Sequence, residues 1–177
     1  MIVKIIGIIC VLGTSIGIGT YFIQRDKDRL HLIKEMKKML LLWRGSIRQS
    51  NETIPEVLEN ISGKLDKRLE TLLKNIAIKM KKMNGENLNN IWIDEVENVF
   101  HNSSLLDEDV DLLKKVGDVI GFLDKQLQIE NMDSFKIEID EKIYKIKSEI
   151  DEKHRIYRIL SIMGGLFLVI ILVWLFY

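Results

Sequence analysis

The chain has 177 residues, one domain's worth, and balances 26 basic side chains against 26 acidic ones. That balance disfavours a nucleic-acid binder, which would carry a clear basic excess. Hydrophobic residues make up 47% of the chain and charged residues 29%, figures that coexist only if the apolar residues are segregated.

They are segregated at the two ends. Ile5 to Ile23 (IIGIICVLGTSIGIGTYFI) carries no charge. At about 1.5 Å per residue it is long enough for the roughly 30 Å hydrocarbon core of a bilayer. No A-x-A-like cleavage site follows, and the next residues are QRDKDR, so the segment reads as an uncleaved anchor rather than a signal peptide. Ile9 is too large for a lipoprotein cleavage site before Cys10. Gly13 and Gly17 form a G-x-x-x-G pair, a face that lets another helix approach closely. The single cysteine, placed in a span, fits a reducing compartment without disulfides.

The stretch between the ends reads as helix throughout. Leu30, Ile33, Met36, Leu40, Trp43 and Ile47 share one face of a first helix. "SNETIPE" stops it: Thr53 and Glu56 have capping-box spacing, and Pro55 sits where a first helical turn tolerates proline. A short second helix carries Val57, Leu58 and Ile61 and ends at Gly63. A third runs from about Leu65 to Met83 and stops at Asn84-Gly85. A fourth carries Leu88, Ile91, Trp92, Val96 and Phe100, after which "HNSS" breaks the chain and Ser104 is the expected N-cap. A fifth carries Val110, Leu113, Val116, Ile120 and Leu123. A long sixth, with Phe135, Ile139, Ile143, Ile146 and Ile150, runs on into a second charge-free segment, Ile159 to Tyr177. Gly164-Gly165 in that segment would suit packing against the glycines of the first span.

No stretch alternates with period two, so no sheet is expected. The fold class that follows is all-α: a six-helix antiparallel bundle over residues 24–158, flanked by transmembrane helices over 1–23 and 159–177. Basic residues orient it. Arg25, Lys27 and Arg29 follow the first span and Lys153, Arg155 and Arg158 precede the second, while only Lys4 lies on the other side. The insert is therefore expected in the cytoplasm with both termini outside. This collar could also touch anionic headgroups, at roughly 1 kcal/mol per residue close to the surface.

Chemical motifs are wanting. The sequence has no GxxxxGK[ST], HExxH or CxxC, and its three histidines are far apart. Asp107, Asp109 and Asp111 resemble the start of a calcium loop, but its sixth and twelfth positions are Leu112 and Asp118. These acids more simply complement the dipole at a helix N-terminus. No catalytic residue, cofactor or metal is expected.

One stretch stands out, "GDVIGFLDKQLQ" from Gly117 to Gln128. Gly117 and Gly121 fall on one helix face, where missing side chains admit a neighbouring helix. Each costs roughly 1 kcal/mol of helix propensity, so that contact must be worth having. Asp124 and Gln128 can cap the break before the sixth helix or meet a partner.

"LLKKVGDVIGFLDKQLQIENMDSF", Leu112 to Phe135, resembles the pattern of the stage III sporulation protein AB family on Gly117, Gly121, Asp124 and Gln128. The tail "YRILSIMGGLFLVIILVWLFY" is similar to that family's closing Leu-x-x-x-Gly-Gly and aliphatic run. The resemblance implies one domain like the cytoplasmic domain of type II secretion platform proteins. It implies a place in the mother-cell membrane around the forespore. The implied partners are a cytoplasmic secretion-type ATPase and the other membrane subunits of the mother cell–forespore channel. One domain and two spans make an incomplete platform, so self-association or partner subunits are expected. The alternative is a membrane-anchored scaffold or regulator of another secretion or division complex.

Overall fold

The computed structural model describes the backbone of residues 2–49, 52–82, 87–120 and 125–174. Side chains of residues 2–16, 18 and 19, and of most positions beyond 156, lie outside the described residues. Six helices account for nearly all of the described chain, with no strand among the described residues: α1 (Ile2–Gln49), α2 (Ile54–Ser62), α3 (Lys67–Lys81), α4 (Leu88–Phe100), α5 (Asp107–Ile120) and α6 (Lys125–Trp174). The expected all-α architecture is therefore present. Among the described residues no helix is long and apolar enough to cross a membrane. The charge-free stretches 5–23 and 159–177 lie largely outside the described side chains.

The helix ends show why the chain breaks where it does. Glu56 turns back on the residue before α2, its Oε2 accepting from the Thr53 N–H and hydroxyl, both at 2.8 Å. Those hydrogen bonds, the backbone one foremost, hold the Glu56 carboxyl below the usual carboxylate range. At the head of α3, Asp66 accepts from the Arg68 N–H at 3.0 Å, so the helix starts two residues later than its apolar pattern suggests. Asn87 does the same for α4 through the Asn89 N–H. Before α5 the expected Ser104 cap is replaced. The Leu106 carbonyl accepts from the Val110 N–H, and the Asp109 carboxylate reaches back to the Leu106 N–H at 2.9 Å. A carboxylate three residues into the helix serves where a hydroxyl before it was expected.

Gly63 ends α2 as expected. It closes α2 in the right-handed region (φ −65°, ψ −5°), not the left-handed one that favours glycine, and a Cβ there would meet nothing within 4 Å. Gly63→Ala should therefore raise stability by about 0.4–1 kcal/mol, through the reduced freedom of the unfolded chain. A denaturant midpoint shifted upward at unchanged slope is the expected reading.

By compactness the chain divides into residues 1–28 with 145–177, and residues 29–144. In the first unit Lys153 pairs with Asp26 at 3.3 Å, joining α6 to α1. In the second, Lys37 meets Asp140 at 2.5 Å and Arg44 meets Asp133 at 2.9 Å. Seven steps forward on α1 match seven steps back on α6, so the two helices are antiparallel there. Helices α4 and α5 are antiparallel too: Glu97 pairs with Lys114, and Asn89 donates to Asp118. The core of this unit is built from α1 (Ile33, Met36, Leu40, Trp43), α3 (Leu69, Leu72, Leu73, Ile76) and the inner faces of α2, α4, α5 and α6. Trp43 and Trp92 meet edge to face at 6.2 Å between ring centroids. Such a pair adds about 0.5–1.5 kcal/mol beyond the area it buries.

Candidate functional site

Two constellations inside residues 29–144 stand apart from the apolar core. The first is ionic. Asp109 is fully buried on α5, and three groups converge on its carboxylate. The Arg29 guanidinium on α1 donates twice, from Nε to Oδ2 at 2.6 Å and from Nη2 to Oδ1 at 3.0 Å. Lys142 on α6 donates to Oδ1 at 2.7 Å, and the Leu106 N–H completes the set. Arg29 Nη2 also reaches Glu108 at 2.9 Å. One carboxylate thus ties the start of α5 to α1 and α6 at once. Burial alone would push the Asp109 carboxyl up; the Arg29 and Lys142 hydrogen bonds, with the Leu106 N–H, outweigh it and hold it below the usual carboxylate range. Burial likewise works against the Arg29 charge, and the Asp109 and Glu108 partners outweigh it, raising its pKa.

The second constellation centres on Gly117. A Cβ there would lie 2.5 Å from Trp92 Cδ1 and 2.6 Å from Cγ, so α5 and α4 approach as closely as they do only because Gly117 has no side chain. The Trp92 ring cannot yield easily, since its Nε1–H donates to the Leu113 carbonyl at 2.8 Å. Gln128 lies one helix further on. It is buried, and its amide donates to the Ile120 carbonyl at 3.1 Å, satisfying the last residue of α5. Gly121 and Asp124 lie outside the described residues. A second buried carboxylate, Glu95 on α4, accepts from Asn75 at 2.9 Å and pairs with Lys79 at 2.7 Å.

The remaining residues singled out by sequence separate. Arg25, Lys27, Lys153 and Arg155 are exposed, whereas Arg29, read there as part of the same collar, is 8% exposed and belongs to the ionic cluster. The Arg158 side chain lies outside the described residues. A Cβ on Gly17 or Gly164 would meet nothing within 4 Å, so among the described residues neither is packed against a helix. Gly13 and Gly165 have surroundings outside the described residues. No metal-ligand cluster occurs among the described residues.

Sequence reasoning missed the ionic cluster, although a signal was there. Arg29 precedes Ile33 by four residues and Met36 by seven, which puts it on the apolar face of α1. Asp109 stands likewise in the row with Leu112, Leu113 and Val116 on α5. Two opposite charges on two buried faces are the mark of an internal pair.

These observations define an all-α helical-bundle protein whose helices are tied together by buried carboxylates and one glycine-to-tryptophan contact. The chain matches the family model of stage III sporulation protein AB over residues 4–173, and it belongs to that family. Its fold is also that of a solved structure of a stage III sporulation protein AB, at a TM-score of 0.64 and 15% identity. That likeness covers 70% of this chain and 97% of the other. No curated protein matches the sequence.

Proposed function

We propose that this chain is a non-catalytic membrane platform component of the mother cell–forespore channel, linking a cytoplasmic secretion-type ATPase to the channel's membrane subunits. The observation that carries this reading is the family match, which runs through both charge-free ends as well as the helical insert. The two ends act as membrane spans of the mother-cell membrane, with the insert in the cytoplasm, as the distribution of Lys and Arg requires. A bundle cross-linked by buried ion pairs suits a part that passes force or binding energy without deforming, since packed cores transmit strain.

Deleting the gene in its host should stop spore formation after engulfment, and complementation with the full chain should restore it. Normal spore yield in the deletion strain would sink the proposal. Capture on the full chain from sporulating membranes is expected to return the ATPase; return of division proteins alone would favour a scaffold for another complex.

A further inference from the structure

The outer sides of α1 and α6 each carry a row of exposed residues at alternating spacings of three and four, the spacing of a coiled-coil seam. On α1 the row is Lys34, Lys38, Leu41, Gly45 and Arg48; on α6 it is Glu130, Ser134, Ile137, Glu141 and Tyr144. The first row is basic and the second acidic. Each also holds an apolar side chain left in solvent, Leu41 at 44% exposure and Ile137 at 59%, with Tyr144 at 77%. Gly45 is anomalous: it sits inside a helix, where glycine costs about 1 kcal/mol, and a Cβ there would meet nothing within 4 Å. Within one chain that cost has no return.

We infer that this face is where a second copy of the chain docks, α1 of each copy lying against α6 of the other as a four-helix arrangement. Leu41 and Ile137 are each within one turn of the ion pairs that join α1 to α6 in a single copy (Lys37–Asp140, Arg44–Asp133). The two rows therefore flank one groove and form one self-complementary face, as a two-fold interface demands. A two-fold axis parallel to the helices leaves heights along them unchanged, so the register between copies is the register those ion pairs already fix. That register sets Leu41 opposite Ile137, Lys38 opposite Glu141, Arg48 opposite Glu130, Gly45 opposite Ser134 and Lys34 opposite Tyr144, each to within two residues. Every charged position meets an opposite charge or an aromatic ring, the apolar residues meet at the centre, and the small residues meet where backbones must come close. Charge complementarity and register agree without adjustment.

The test is a mixed disulfide. A full-length chain carrying Cys10→Ser and Leu41→Cys is coexpressed with a differently tagged full-length chain carrying Cys10→Ser and Ile137→Cys, and the membranes are oxidised. Each chain has one thiol, so any mixed disulfide joins two copies. It should form readily at position 137 and be roughly tenfold scarcer when Glu138→Cys replaces it, since the next residue points about 100° away around the helix. Glu141→Lys should weaken the 41–137 link by a similar factor, because both symmetric ion pairs turn repulsive, and Lys38→Glu added to it should restore the link. Gly45→Leu, placed in open space within the monomer, should abolish the link while leaving the helical signal intact. No link at 137, or equal links at 137 and 138, overturns the interface. Carbonate extraction of the same membranes decides the spans separately: a chain that washes off while still forming the 41–137 link refutes the membrane reading and leaves the interface standing.

Discussion

Asp109→Ala should lower the unfolding free energy of the full chain by about 3–5 kcal/mol, the range found when one partner of a buried ion pair is removed. For a chain of this size that is a fall in melting temperature on the order of 10 °C. The loss comes from what stays behind. Arg29 has a side-chain exposure of 9% and Lys142 of 15%, so both would keep charges largely out of water without their shared acceptor. The Leu106 N–H would lose its cap as well. Replacing the charged groups together should cost less than replacing one. Arg29→Met with Asp109→Leu removes two of the three desolvated charges and leaves Lys142 the Glu108 carboxylate at 3.5 Å, so the double variant should melt above Asp109→Ala. If the double variant melts lowest, the cluster contributes net stability rather than merely avoiding an unpaired charge.

The sign of the pH dependence follows from the same carboxylate. Its pKa in the folded chain lies below that of the unfolded chain, about 3.9, so its contribution is fully present above that value. The contribution is lost as pH falls through the folded-state value, because the unfolded chain then binds the proton first. Stability from this group should be flat from neutral pH down to about 5 and should fall steeply below about 4. Asp109→Asn should flatten that acid limb while lowering the neutral plateau. An acid limb unchanged in Asp109→Asn would assign it to other carboxylates.

Gly117→Val is expected to disrupt the α4–α5 contact. Already at Cβ the new side chain overlaps the Trp92 ring, and that ring is held by its hydrogen bond to Leu113 and by its edge-to-face contact with Trp43. Overpacking of this kind typically costs about 1–3 kcal/mol, and valine's extra methyl groups put it at the upper end. Gly117→Ala should be milder, because alanine recovers up to about 1 kcal/mol of helix propensity against the same overlap. Far-ultraviolet circular dichroism should stay helical in both, while near-ultraviolet signals and tryptophan fluorescence shift as the indoles move. Trp92→Leu placed behind Gly117→Ala should recover part of the loss, since the second change removes the ring that the first one strikes. Failure of that recovery would mean that Asn89, at 3.0 Å from the same Cβ position, is the real obstruction.

How much of this was legible before the fold was known can be judged residue by residue. The six helices could be read because each writes its own period into the chain, and because Thr53 and Glu56 act within a few residues of themselves. Helix starts were less legible where one side chain could serve in place of another: Ser104 was a reasonable cap, yet the Asp109 carboxylate reached the free N–H. The stretch from Gly117 to Gln128 was visible as unusual, and its glycines were read as making room for a helix. Which helix comes close could not be read, since Trp92 lies 25 positions away.

By itself, then, the sequence determined what depends on local spacing: helical class, element order, the charge-free ends and the family fingerprint near the start of α6. The tertiary structure alone decided what depends on partners far apart in the chain. Arg29 changed from a residue of a basic collar into the buried mate of Asp109, eighty residues on, because burial turns a surface charge into one that must be paired. Gly117 acquired its purpose from a tryptophan on another helix, because close packing is a property of two surfaces and no single segment encodes both.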